Sequence, residues 1–173
     1  MTRRMTSSTS TRLGRLPAMA GAVTPPVRLI RDIYAEQRVL GQPALSIELF
    51  PPKTPKGDAA LFEHALPALH ELEPDFYSVT YGAGGSTRDK TIAIVDRIQR
   101  EHQITTMAHL TCISTSRADI KRFLLDARKR GIRNILALRG DPPLDDSGPV
   151  ERGFEYSYQL VEFIKEMGGF SIG

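Results

Sequence analysis

The chain has a single cysteine, Cys112, among its 173 residues. An intrachain disulfide is therefore excluded, and the thiol is expected to pack as a small hydrophobe in a reducing, cytoplasmic compartment. No apolar run approaches the roughly 18 residues that suggest a membrane span, so no membrane is expected as a partner. Acidic residues are missing from the first 31 positions, which hold Arg3, Arg4, Arg12, Arg15, Arg28 and Arg31. Those six of the 23 cations account for the formal charge of +3, because without them 17 cations face 20 acids, a net of −3. The basic character belongs to a tail and the body is mildly acidic, which argues against nucleic acid as a partner. Residues 1–27, rich in Ser, Thr and Arg, are expected to be disordered. A transit peptide or a mis-chosen start codon would also explain them, although "RRMTSSTSTRLGRLPAMAG" has no sustained amphipathic pattern and no clear secretory core.

Several catalytic signatures are also missing. "YGAGGSTRDKT" (Tyr81–Thr91) has the glycines, hydroxyls and cations of a phosphate loop. Thr87, however, stands where a dinucleotide fingerprint needs its last glycine, and no Gly-Lys pair makes a P-loop. The stretch reads as a strand-to-helix turn until other features bear on it. There is no G-x-S-x-G nucleophile elbow and no lysine within a strand for Schiff-base chemistry. No His/Cys/acid set has recognised metal spacing. "RGD" at Arg139–Asp141 ends an apolar run instead of crowning an exposed loop, which disfavours an adhesion role.

What is present is a rhythm. A lead-in helix is expected over "RLIRDIYAEQRVL" (28–40), with Leu29, Ile30, Ile33 and Leu40 as its apolar positions. Strands are then expected at "ALSIELF", "FYSVTYG", "TTMAHLTC" and "NILALRG", with "FSIG" opening a fifth. Helices fall between them: "DAALFEHALPALHEL", interrupted at Pro67; "TRDKTIAIVDRIQREH"; "SRADIKRFLLDARKRG", capped by Ser116 and ended by Gly131; and "YSYQLVEFIKEMGG". Alternation at about 30 residues per unit implies an α/β fold with a parallel sheet. Four units and a fraction fit either a small doubly wound domain or the first half of a (β/α)8 barrel, and periodicity alone does not choose.

In both architectures chemistry sits at the carboxyl ends of the strands. Side chains alternate along a strand, so Ser46, Glu48 and Phe50 share a face. Ser78, Thr80 and Gly82 share another, as do Met107, His109 and Thr111, and Ile135, Ala137, Arg139 and Asp141. A parallel strand buried on both faces should be continuously apolar. Glu48, Thr80, His109, and Arg139 with Asp141 break that rule near four strand tips, which suggests one polar pocket. Each has a plainer reading: a structural Glu48–Arg139 ion pair, a satisfied core histidine, a β-forming threonine, a turn aspartate.

The stretches "SIELFPPKT", "FYSVTYGAGGSTRDKT", "AHLTC" and "NILALRGDPP" resemble, in order and spacing, the methylenetetrahydrofolate reductase family, over roughly residues 44–173. The resemblance implies a (β/α)8 TIM-type barrel, of which residues 28–173 would be the first half, with FAD at the strand tips. It also implies a ping-pong reaction in which NAD(P)H reduces the flavin, which reduces 5,10-methylenetetrahydrofolate to 5-methyltetrahydrofolate. Glu48 would be the general acid, protonating the folate as its five-membered ring opens to an iminium. A partly desolvated pocket flanked by Leu49 and Phe50 would help it keep its proton until then. Asp141 would lie near flavin and pterin, disfavouring extra electron density on the flavin. Thr80, His109, Leu138, Arg139, Gly140, Asp141, Tyr156 and Ser157 match positions that contact FAD. The glycine-rich stretch would be the close-approach loop beside the flavin. A homo-oligomer is implied at full length. Ending in strand five, the chain by itself is expected to bind FAD weakly and to turn over little. A binding module for flavin or folate without turnover, and a complete small doubly wound domain, are the alternatives.

Overall fold

A computed structural model describes residues 28–81, 88–141 and 153–173. The basic stretch 1–27, the glycine-rich residues 82–87 and the segment 142–152 lie outside the described residues.

Helix α1 spans Ile30–Val39 and buries Ile30 and Ile33. Leu40 was expected on that buried face but is exposed, because the helix has already ended and Gly41 turns the chain away at φ +64°. Strand β1 follows at Ser46–Leu49. Helix α2 (Pro55–Ala60) starts at Thr54, whose hydroxyl accepts from the Gly57 amide. It runs through a π turn (Leu61–Ala65) into α3 (Leu66–His70). The expected break at Pro67 does not occur. Proline removes one helical donor and crowds the carbonyl four residues back. The widened turn just upstream takes up that misfit, so the chain continues as helix to His70.

Strand β2 (Phe76–Val79) is buried throughout. Helix α4 (Arg88–His102) leads to β3 (Thr106–Thr111), α5 (Arg117–Lys129), β4 (Asn134–Leu138), α6 (Ser157–Met167) and β5 (Ser171–Ile172). Ser116 caps α5 by accepting from the Asp119 amide at 3.1 Å, and Gly131, at φ +73°, turns the chain after it. The stripe expected along α5, Ile120, Phe123, Leu124 and Ala127, is fully or almost fully buried.

All strand pairings are parallel and the strand order is β1-β2-β3-β4-β5. A doubly wound sheet must reverse direction at a switch point; sequential order has none. With right-handed crossovers, sequential order also puts every connecting helix on one face. One apolar layer accordingly joins Leu49, Tyr77, Val79, Ala108, Leu110, Ile135 and Ala137 to Phe62, Val95, Ile98, Phe123, Leu124, Leu160 and Ile164. This is the wall of a (β/α)8-type barrel, seen over five of its strands.

The opposite, inner face is closed at its amino-terminal end by α1. Ile30 and Ile33 pack with Phe76, Ala44 and Met107. Asn134, at the start of β4 and 0% exposed, accepts from the Ile30 amide at 2.9 Å and donates to the Arg28 carbonyl at 3.0 Å. Asp75 accepts from the Leu45 amide and from Gln37, both at 2.8 Å, and so fastens the same helix to β1 and β2. Helix α1 thus covers the amino-terminal end of the inner face as its floor, and the strand tips form its other end.

Candidate active site

The inner face above the floor carries Glu48 from β1, Ser78 from β2, His109 and Thr111 from β3, and Leu136 and Leu138 from β4. Pairing puts Glu48 opposite Ser78 and Ser78 opposite Met107, with His109 one step nearer the carboxyl end, level with Leu136. Strands β1 and β3 are separated by β2, about 10 Å apart at ordinary strand spacing. Even so, His109 Nε2 and Glu48 Oε2 lie 3.6 Å apart. The contact is possible because the residue between them is Ser78, small enough for two long side chains to lean over it. Alternation placed Ser78 on this face, but its size draws attention only once β1, β2 and β3 are known to be neighbours.

His109 is 5% exposed, and its Nε2 has no hydrogen-bond partner among the described residues. Burial pulls its pKa below the ordinary histidine value; the Glu48 charge opposes this but is the weaker influence. The ring is therefore neutral near pH 7 and brings no charge to the pocket. A buried polar nitrogen without a partner costs free energy, and the Glu48 carboxylate, 3.6 Å away, stands just beyond hydrogen-bond reach of it. The expectation that Leu49 and Phe50 desolvate Glu48 is not met. Leu49 faces the helices, Phe50 is 71% exposed, and the Glu48 side chain is 50% exposed.

Strand β4 departs from the expected common polar face. Ile135 and Ala137 belong to the helix-facing layer, so the inner residues are Leu136 and Leu138. Arg139 continues the outward phase and its Nε donates to the Glu155 carbonyl at 3.3 Å. The reading of Glu48 as the ion-pair partner of Arg139 is thus replaced by the Glu48–His109 contact. At Gly140, φ is +80°, which ends the strand alternation before the exposed Asp141. A Cβ at Gly140 would lie 2.7 Å from Ile113 Cγ2 and 3.0 Å from Thr111 Cβ, so only glycine brings the backbone this close to the tip of β3.

The remaining expected contacts flank the same end. Thr80 follows β2, where its amide donates to the Leu49 carbonyl and its carbonyl accepts from Thr91 Oγ1 at 3.0 Å. Tyr156 and Ser157 open α6. Gln159 Oε1 accepts from the amides of Glu155 (2.8 Å) and Tyr156 (3.1 Å), and the exposed Tyr156 ring stacks on Tyr158. Further back, Gly153 presses on α5, where its amide donates to the Thr115 carbonyl and its own carbonyl accepts from Arg117 Nε. Arg117 also lies over the Phe154 ring. Sequence inspection did not single out Gln159 or Arg117, since a turn-bracing residue has no signature until its partners are known. Cys112 is buried beside the Arg139 carbonyl, and burial raises its thiol pKa. It faces the helices, as a packing residue does. Among the described residues no group of three or more His, Cys, Asp or Glu is placed to hold a metal ion. None of the described helices is long and apolar enough to cross a membrane.

A family profile described as methylenetetrahydrofolate reductase matches residues 32–173. The chain is 44% identical over 135 residues to methylenetetrahydrofolate reductase (NADH) 1 of Arabidopsis thaliana, covering 77% of this chain and 23% of that protein. It is 38% identical over 132 residues to the 5,10-methylenetetrahydrofolate reductase of Pectobacterium carotovorum subsp. carotovorum (76% of this chain, 43% of that one). The figure is again 38%, over 134 residues, for the protein of that name from Escherichia coli (78% and 44%). The chain thus spans less than half the length of these relatives.

Proposed function

Because the chain belongs to the methylenetetrahydrofolate reductase family, we propose that its strand-tip pocket serves FAD-dependent reduction of 5,10-methylenetetrahydrofolate by NAD(P)H. The observation that carries this reading is the buried, unpartnered His109 Nε2 set 3.6 Å from the Glu48 carboxylate at the strand-tip end of the inner face. Thr80, His109, Leu138, Arg139, Gly140, Asp141, Tyr156 and Ser157 would hold the flavin. The fit rests on two features of the chain itself: an orphaned polar nitrogen that needs a partner, and a glycine at β4 where any side chain would crowd the neighbouring strand. When bound, FAD supplies the redox chemistry, accepting electrons from NAD(P)H and delivering them to the folate.

The protein's own residues supply position and a proton. Leu136 and Leu138 offer an apolar wall to a flat ring. His109, held neutral by burial, offers one hydrogen bond at Nε2 without adding charge. Glu48 stands at the tip of β1 with half its side chain open toward the incoming substrate. Protonated, it donates to the folate nitrogen released as the five-membered ring opens, and it recovers the proton from solvent once product leaves. Substrate bound above it excludes water and supplies the desolvation that its neighbours in sequence do not. Asp141, beyond the turn at Gly140, is available to accept hydrogen bonds from the donors of a pterin.

A Glu48→Gln substitution tests the assignment in FAD-loaded protein. Flavin reduction by NAD(P)H is expected to stay within about threefold of the unmodified protein, while folate reduction falls by at least about a hundredfold, the share typical of a general acid. Equal loss of both steps would make Glu48 structural and overturn the proposal.

A further inference from the structure

The cations of "STRDKT" looked at first like phosphate ligands. The structure gives Lys90 another task. Its ammonium group donates to the Pro52 carbonyl and to Asp58 Oδ2 at 3.0 Å, with Asp58 Oδ1 at 2.9 Å. Lys90 lies in the first turn of α4, after β2, whereas Pro52 and Asp58 belong to the loop and helix that follow β1. The same loop is compressed from the other side, since a Cβ at Gly57 would lie 2.9 Å from Pro52 Cβ. Pro52 is four residues beyond Glu48. Strand β1 has only four residues, and among the described residues it pairs with β2 alone. Its tip is held by one further rung, the Thr80 amide on the Leu49 carbonyl at 2.9 Å. Among the described residues the β1–β2 ladder has no rung past that one, and the end of a short strand is where local opening starts.

We propose that Lys90 is a positioning residue for Glu48: a cationic staple that ties the loop after β1 to the first turn of α4 and thereby holds the Glu48 carboxylate over Ser78 against His109. Lysine suits the task because three rotatable donors on a flexible stem can serve a carbonyl and both oxygens of a carboxylate together. The pair is partly shielded from solvent, with side-chain exposures of 29% for Lys90 and 37% for Asp58. The catalytic consequence rests on the function proposed above, whereas the positioning itself does not.

The test therefore uses the chain without flavin or folate, so that its outcome stands whether or not the reductase reading does. Thr80 amide exchange reports the tip of β1, and the Cys112 amide, bonded to the Leu138 carbonyl at 3.1 Å, reports the β3–β4 ladder. In Lys90→Met, Thr80 protection is expected to drop by about tenfold or more while Cys112 is unchanged; Lys90→Arg restores it. The second readout is the NMR titration of the His109 ring, identified by its loss in His109→Gln. Glu48→Gln should lower the His109 midpoint, since the Glu48 charge raises it. In the Lys90→Met background this response should shrink by about half or more, as a Coulomb interaction does when its distance doubles. A merely structural lysine would leave that response whole. If Lys90→Met does not fold, Asp58→Asn takes its place, with the same direction expected. Unchanged Thr80 exchange together with an undiminished response of His109 to Glu48→Gln, in either variant, overturns the proposal, as does failure of Lys90→Arg to restore them.

Discussion

Asn134 offers a quantitative test of how the barrel floor is built. Helix α1 begins after Leu29, which has no side chain able to cap it. The first helical amide, that of Ile30, is instead satisfied from 104 positions away by Asn134 Oδ1, while Asn134 Nδ2 returns a bond to the Arg28 carbonyl. Replacing Asn134 by Ala removes both bonds at a site with no solvent access. A helix cap is worth about 1 kcal/mol, and leaving a buried donor unsatisfied costs about 1–3 kcal/mol. The Arg28 carbonyl, at the edge of the floor, can turn to water and adds little. The cap and the unsatisfied donor are two measures of the same lost bond, so the expected loss is about 1–3 kcal/mol, a large share of the roughly 5–15 kcal/mol that stabilises a typical domain. With a urea slope of about 2 kcal/mol per M, the unfolding midpoint should fall by about 0.5–1.5 M. Amide exchange should show Ile30 losing protection ahead of the β3–β4 ladder. A midpoint shift under about 0.3 M with Ile30 exchange unaltered would show that apolar contact with Phe76 alone holds α1, and the reasoning would fail.

Two further expectations concern pH and backbone. Burial depresses the pKa of His109, opposed by Glu48, and that of His102, where His70 also lowers it and Glu101 opposes. The fold thus disfavours protonation of both rings, and below the ordinary value near 6.5 the unfolded chain binds protons that the fold excludes. Stability should be level above about pH 7 and decline as pH falls from about 6.5 toward 5; a flat profile of urea midpoints across that window would contradict it. Gly140→Ala forces an L side chain into φ +80° with its Cβ against Ile113 and Thr111. It should cost about 2–3 kcal/mol in denaturant unfolding, and a loss below about 0.5 kcal/mol would mean the turn relaxes freely.

Much of this protein was legible as a string of residues. Apolar spacing located every described strand and helix, because period and turn chemistry are local properties: the stripe of α5, its Ser116 cap and its Gly131 exit needed no partner to be read. Glu48 and His109 stood out because a charged or titratable residue near a strand tip breaks the apolar run of a buried parallel strand. What lay beyond reach depended on neighbours distant in the chain. Strand order is set by which edges pair, and no local pattern encodes that; the barrel was expected through the family resemblance of four motifs, while periodicity left a doubly wound sheet equally open. The phase of β4 was misread because "NILAL" is apolar on both faces, and only packing against the helices shows that Ile135 and Ala137 look outward. Pro67 sits inside a helix because a π turn upstream absorbs its misfit. Asn134, Ser78 and Lys90 have no sequence signature at all. Each matters through a partner brought to within about 3 Å, or through a space kept clear between two others, and such distances exist only after the strands have paired and α1 has packed across their amino-terminal ends.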